Sequence, residues 1–108
     1  MLYIGNSFSL SMLNSSEAIL KVTEVDSQMV KEMIDKNPWQ SIIGHEATSS
    51  FVSKIIGTII PHNRVAVKLE KDDILLVCQL QGRLPEGRIL NEEELSQIPY
   101  KWYKVEIL

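Results

Sequence analysis

His45 has the sequence surroundings of a residue that could act as an acid on a bound anion. It follows Gly44 at the start of a predicted helix and precedes the small polar residues Thr48, Ser49 and Ser50. A helix N-terminus attracts phosphate through its free N–H groups and its dipole, and glycine lets the backbone approach a ligand closely. A bound phosphate favours the protonated imidazole whereas the dipole disfavours it, and the sequence does not decide between them. The alternative interpretation is that His45 only caps the helix or packs beneath it.

A second candidate cluster is the loop from Arg83 to Arg88, which follows a predicted central strand. The guanidinium of Arg83 matches the geometry of a phosphate, and the carboxylate of Glu86 could take a proton from a hydroxyl or orient it. Ordinary turn chemistry also explains Arg, Glu, Pro and Gly in one loop. The loop alone therefore leaves both interpretations open.

His62, Asn63 and Arg64 form a third polar group, just ahead of another predicted strand, with Arg64 on the face that points away from the core. For His62 the favoured interpretation is a solvated entrance to that strand. The two histidines are widely separated and Cys78 stands alone, so no zinc site and no other metal site is expected. Nucleotide-binding glycine loops and a serine nucleophile elbow are absent from the sequence.

Composition limits the classes of function. The 108 residues are 44% hydrophobic and 23% charged, with a net charge of -3, which describes one soluble domain over residues 1–108. The negative charge argues against a protein that coats long nucleic acid but allows a compact anionic ligand held by a few arginines. The apolar runs are much shorter than the roughly 20 residues of a membrane helix. A cytoplasmic location is therefore expected, with the single Cys78 as a small core residue.

Alternating and apolar runs predict the strands. They lie at Leu2 to Gly5, Ala18 to Val25, Asn63 to Leu69, Ile74 to Leu80 and Trp102 to Ile107. The short turn after Leu69 makes the strand from Ile74 the antiparallel partner of the preceding one.

Apolar spacing of three and four residues predicts the helices. One begins at Asp26 or Ser27 and ends at Pro38, a second carries the apolar stripe of Phe51 and Ile55 and ends at Gly57, and a brief third begins at Asn91. The resulting fold class is α+β, a mixed sheet of about five strands with helices packed on it.

Four stretches form a combination more specific than any one of them. They run from Asn6 to Leu13, from Ile43 to Thr48 and from Arg83 to Leu90, with Asn63-Arg64-Val65 as the fourth. Together they resemble the viral ring nuclease family, the type III anti-CRISPR proteins that degrade cyclic tetra-adenylate. The similarity keeps its order over nearly the whole chain. The YddF-like bacterial branch of the family is an alternative source, and it would leave the physiological role open.

The resemblance implies a homodimer that binds the cyclic nucleotide across its two-fold axis and cleaves it without metal or cofactor. His45 falls on the family's catalytic histidine. Ser9, Arg83 and Glu86 fall on other active-site positions, and Asn6, Gly44, Arg64 and Gln79 are the expected substrate contacts. The sequence departs from the usual pattern at Pro85, where glutamate is common, and at Gly82.

The mechanism that follows is attack of a ribose 2′-hydroxyl on its own phosphate. His45 would protonate the departing 5′-oxygen, Arg83 would offset the charge on phosphorus, and Glu86 would orient the hydroxyl, while Ser9 positions the ring. A non-catalytic module that binds a cyclic nucleotide or a host protein through the same cleft is the alternative function. A structural or regulatory partner without a nucleotide is a third possibility. Expected partners are cyclic tetra-adenylate and a second copy of the chain, but no long nucleic acid and no membrane.

Overall fold

The computed structural model describes residues 1–81, 93–94 and 97–108 of the chain. Within these ranges the strands are β1 (Leu2–Gly5), β2 (Leu20–Val25), β3 (Trp39–Ser41), β4 (Ile74–Leu80) and β5 (Tyr100–Ile107). The helices are α1 (Ser27–Lys36), α2 (Glu46–Ile56) and a short 3-10 helix, Leu10–Met12. In this part of the chain, no helix has the length and apolar character needed to cross a membrane.

The five strands form one mixed sheet in the order β2-β5-β4-β1-β3. Strand β1 runs parallel to β3 and to β4, whereas β5 runs antiparallel to β4 and β2. In register, Ile4 lies opposite Ser41 of β3 and Leu76 of β4. The predicted α+β class and the mixed sheet of about five strands are confirmed. Because parallel strands point the same way, the carboxyl ends of β1, β3 and β4 meet at one edge, called here the carboxyl edge.

The two α-helices cover the same face of the sheet. Their buried apolar residues are Val30, Ile34, Phe51, Val52 and Ile56, which pack with strand residues including Ile4, Leu76, Cys78 and Trp102. Cys78 is fully buried in this cluster, so its predicted place in the core is confirmed. The indole N–H of Trp102 donates to Ser27 Oγ at 3.1 Å, which satisfies the polar atom of a ring that is 1% exposed.

Irregular chain covers the opposite face. The buried residues there are Ile42, Leu69, Leu75, Val77 and Val105. Phe8 and Met12, from the segment after β1, and Val67, from the segment before β4, pack against them. The central strands are thus buried on both faces, which explains the nearly continuous apolar run of β4.

Local signals set the ends of the two α-helices. Asp26 caps α1, since its side chain accepts from the Met29 N–H at 2.8 Å, and the helix ends shortly before Pro38. Helix α2 ends at Gly57, whose φ of 78° is the left-handed conformation that glycine adopts without strain. The predicted start of α1 and the predicted end of α2 are confirmed.

The predicted strand from Asn63 to Leu69 is wrong. This stretch contains no strand. Its last residue, Leu69, forms an isolated parallel β-bridge with Leu13. Strand β4 pairs with β1 and β5 instead, so it is not the antiparallel partner of residues 63–69. The alternation misled because Val67 and Leu69 do face the core, whereas Val65 is 44% exposed.

Other boundaries also differ from the prediction. Strand β3, which was not predicted, is a three-residue edge strand too short to show a period. Strand β2 begins at Leu20 rather than Ala18, and β5 begins at Tyr100 rather than Trp102. Of the third predicted helix, residues 93–94 are helical, and its start at Asn91 lies outside the described residues.

Candidate active site at the carboxyl edge

The carboxyl edge gathers the ends of three strands. Gly5 at the end of β1 lies opposite Val77 of β4, so Asn6 and Gln79 both fall at this edge. Strand β3 ends at Ser41 and leads through Gly44 into α2. In open sheets with parallel strands, ligands bind in the crevice outside the carboxyl ends of the strands.

His45 is the N-cap residue of α2, directly before Glu46, and its side chain is in solvent. Its backbone is extended (φ -125°, ψ 128°), and its carbonyl accepts the first helical hydrogen bond from the Ser49 N–H at 3.0 Å. The side chain is exposed and makes no capping hydrogen bond. The alternative that His45 caps the helix holds for its position as the N-cap residue, but its imidazole neither makes a capping hydrogen bond nor packs beneath the helix, so the ring is accessible to a ligand.

Two of the small polar residues after His45, Thr48 and Ser49, pack within helix α2 rather than facing the open carboxyl edge. Thr48 and Ser49 are buried, and Ser49 Oγ donates to the Glu46 carbonyl at 2.9 Å. Their hydroxyls therefore do not extend the accessible site. The ligand-binding capacity of this end of α2 lies in its backbone N–H groups and in His45.

Arg64 lies directly against Gly44. A Cβ placed on Gly44 would be 3.3 Å from Cγ of Arg64 and 3.7 Å from its Cβ. A side chain at this position would push the aliphatic stem of Arg64 back by a few tenths of an ångström, so glycine lets the stem rest on the chain next to His45. Arg64 is exposed, and its stem lies against the residue that directly precedes His45.

The residues around Arg64 are fastened to the chain that leads into α2. The Asn63 N–H donates to the Ile43 carbonyl at 2.8 Å, and Asn63 Nδ2 donates to the Ser41 carbonyl at 2.7 Å. His62 Nε2 lies 3.0 Å from the Gly44 carbonyl oxygen, which accepts. The sequence interpretation treated His62 as solvated and did not assign it a role. Its place directly before Asn63-Arg64 was the signal that could have included it.

Ser9 lies on the segment that covers the second face of the sheet. It is exposed and caps the 3-10 helix, with Oγ accepting from the Ser11 N–H at 3.3 Å. Lys68 Nζ donates to the Ser11 carbonyl, and the Leu69 N–H donates to the Met12 carbonyl at 2.6 Å. The segment that begins at Arg64 therefore also holds the loop that carries Ser9.

The predicted site residues fall into three groups. Gly44, His45 and Arg64 are brought together, and Asn6 (half-buried) and Gln79 (exposed) lie at the same edge. Ser9 is linked to them through residues 64–69. Arg83 and Glu86, with the departures at Gly82 and Pro85, lie outside the described residues.

Two further features bear on ligand choice. Among residues 1–81, 93–94 and 97–108, no three His, Cys, Asp or Glu side chains are grouped so as to hold a metal ion.

An open groove of about 740 Å³ lies between β2 and α1, lined by residues that include Glu24, Asp26 and Glu32. Its carboxylates do not suit a polyanion, and none of its lining residues belongs to the carboxyl edge.

Comparison with known proteins places the chain in a family. The model of the STIV B116-like family matches residues 2–102. The chain belongs to this family. A solved member, B116 of Sulfolobus turreted icosahedral virus, superposes with a TM-score of 0.81 at 25% identity and covers 97% of both chains.

Relatives of this STIV B116-like chain occur in viruses and in a bacterium. Protein 26 of Sulfolobus islandicus filamentous virus is 35% identical over 100% of this chain and 92% of its own length. The YddF protein of Bacillus subtilis is 26% identical over 89% of this chain and 91% of its own length. The family therefore has a viral context together with the bacterial branch named in the sequence analysis.

Proposed function

We propose that this STIV B116-like chain is a metal-independent ring nuclease that opens cyclic tetra-adenylate and so counters type III CRISPR signalling. The observation that carries the proposal is the exposed His45 imidazole at the N-terminus of α2, beside Arg64 packed on Gly44. An imidazole can give a proton, and a guanidinium together with helix N–H groups can hold a phosphate. Family membership and the sequence resemblance supply the class of substrate.

The reaction is an in-line transfer within one ribose-phosphate unit. The 2′-oxygen forms a bond to phosphorus as the bond from phosphorus to the 5′-oxygen breaks, leaving a 2′,3′-cyclic phosphate and a free 5′-hydroxyl. The proton of the 2′-hydroxyl passes to Glu86 or to water, and His45 gives a proton to the 5′-oxygen. Arg83 offsets the charge that builds on the phosphate oxygens, and Ser9 positions the ring.

The remaining contacts bind the ring. Arg64 and the backbone at Gly44 bind a phosphate of the ring. Asn6 and Gln79 contact the nucleotide at the ends of β1 and β4. The carboxyl edge of one chain is open, and a ring of four nucleotides has a symmetry that two copies can share about a two-fold axis. In the proposed homodimer, two copies of Arg64 face one ring, which reconciles a net charge of -3 with a ligand of four phosphates.

The test is cleavage of labelled cyclic tetra-adenylate by purified protein in excess over the ring, with a chelator present. The wild type is expected to yield linear products, and His45→Ala is expected to lose roughly 10²- to 10⁴-fold in rate while still binding the ring. Lys36→Ala, which changes an exposed residue in the last turn of α1, is the matched control.

Three results would redirect the proposal. Equal rates for His45→Ala and wild type would remove His45 as the acid. Intact ring retained by the wild type would favour sequestration by a non-catalytic module. Neither retention nor cleavage at micromolar protein would favour a partner protein with no nucleotide ligand.

A further inference from the structure

Three consecutive residues between α2 and β4 hold the chain just before His45. Asn63 donates two hydrogen bonds, from Nδ2 to the Ser41 carbonyl at 2.7 Å and from its backbone N–H to the Ile43 carbonyl at 2.8 Å. Arg64 rests its stem on Gly44, and His62 holds the Gly44 carbonyl at 3.0 Å. The path from β3 into α2 is thus fixed from one side by residues 62–64.

The bond from His62 acts on the peptide group that His45 shares. The Gly44 carbonyl and the His45 N–H belong to one planar peptide unit, so holding the oxygen also sets the direction of the N–H. The side chain of His45 makes no capping hydrogen bond of its own that could orient this residue. His62 is itself exposed, so packing in the core does not account for its position.

We propose that His62 is a positioning residue for His45, acting through its hydrogen bond to the Gly44 carbonyl. The bond fixes the Gly44–His45 peptide, and with it the direction of the imidazole and of the first free N–H of α2. The catalytic consequence rests on the proposed function above. It makes His62 a residue that aids phosphodiester cleavage without touching the ring.

The contact does not depend on the charge of His62. A carbonyl oxygen only accepts, so Nε2 must carry a proton, which it does both in one neutral tautomer and in the imidazolium. A side chain that reaches the same oxygen with an N–H should replace the imidazole, which makes glutamine the conservative variant.

Kinetics separate loss of the donor from loss of the side chain. His62→Leu is expected to lower the single-turnover rate roughly three- to tenfold, the range for one hydrogen bond, with ring affinity unchanged. His62→Gln should recover most of that loss. Lys36→Leu controls for an exposed polar residue replaced by leucine. Equal losses for leucine and glutamine, or a loss confined to affinity, would overturn the proposal.

A double-mutant cycle tests whether His62 acts through His45. In a His45→Ala background, His62→Leu should produce little further loss, because the residue it positions is gone. The same three- to tenfold loss in both backgrounds would show that His62 works independently of His45 and would overturn the proposal.

Imidazole NMR signals give a readout that does not require cleavage. The chain has two histidines, so removing His62 leaves the His45 ring as the single remaining imidazole signal. His62→Leu is expected to shift or broaden that signal and the His45 amide, and His62→Gln to leave both near their wild-type positions. Unchanged His45 signals in His62→Leu would refute the contact. If the wild type leaves cyclic tetra-adenylate intact, the proposed function is refuted. The spectra would still show whether His62 positions His45.

Discussion

His45 and Cys78 are two side chains with nucleophile or proton-transfer chemistry, and solvent exposure separates their roles. His45 is exposed at the N-cap of α2, whereas Cys78 is fully buried in β4 beneath the two α-helices. Only a group that a ligand can reach could transfer a proton in the proposed cleavage. At the residue scale, the site therefore depends on His45 and its immediate supports, and Cys78 belongs to the packing that keeps β4 in place.

Burial of Cys78 predicts a stability change at high pH. It raises the pKa of the thiol from 9.0 to about 12. Because the folded pKa lies above the unfolded one, the stabilisation is complete below about pH 9 and is lost as pH rises toward 12. The free energy of unfolding of the wild type should fall more steeply between these values than that of Cys78→Ala. Denaturant titrations at several pH values measure both slopes, and parallel slopes would contradict the assignment.

At the scale of elements, residues 61–69 do more than connect α2 to β4. Their first part is fastened to β3 and Gly44, and their last part is fastened to the loop that carries Ser9. One irregular segment thus joins the two parts of the candidate site. The backbone N–H groups of Asn63 and Leu69 donate to two separate segments, the chain before α2 and the loop that carries Ser9, rather than to one neighbouring strand.

Helix α1 offers a test of how its start is stabilised. Asp26→Ala removes the acceptor for the Met29 N–H and is expected to cost about 1 kcal/mol of unfolding free energy, whereas Asp26→Asn should cost less. Asp35→Ala removes an exposed ion pair with Lys31 (3.2 Å) and is the matched control, expected to cost at most about 0.5 kcal/mol. Chemical denaturation measures all three. Equal costs for the two alanine variants would show that the cap is not what stabilises the helix start.

At the scale of the molecule, the proposed site is shared between two chains. Each chain places one His45 at its carboxyl edge, so a dimer that encloses one ring would bring two acids to two phosphates. The net charge of -3 disfavours long nucleic acid, and in the proposed function the local arginines hold a compact anionic ligand.

Hybrid dimers test this division of work. Wild-type and His45→Ala chains with different tags are mixed, and the hybrid is purified and used in excess over labelled ring. The wild type is expected to cut twice and yield dinucleotides, whereas the hybrid should accumulate a linear tetranucleotide, because one chain cuts one bond. Dinucleotides formed by the hybrid at the wild-type rate would contradict the prediction that each chain cuts one bond. A wild type that sediments with the mass of one chain would contradict the dimer itself.

The amino-acid sequence determined the features that depend on a few neighbouring residues. Asp26 and Gly57 are capping residues, and their positions predicted the start of α1 and the end of α2 because a cap involves residues within about one helical turn. The location of His45 at a helix start followed from the same kind of signal, and alternation marked β2 and β5 to within two residues.

Tertiary structure alone decided which segments meet. Residues 63–69 have the alternation of a strand, yet long-range bonds to Ser41, Ile43 and Met12 hold them as irregular chain. The parallel pairing of β1 with β3 and β4, and the contact of His62 with Gly44, likewise join residues far apart in the sequence. The physical reason is that alternation and capping depend on residues close together in the sequence. Which segments pair with one another depends instead on the packing of the whole chain.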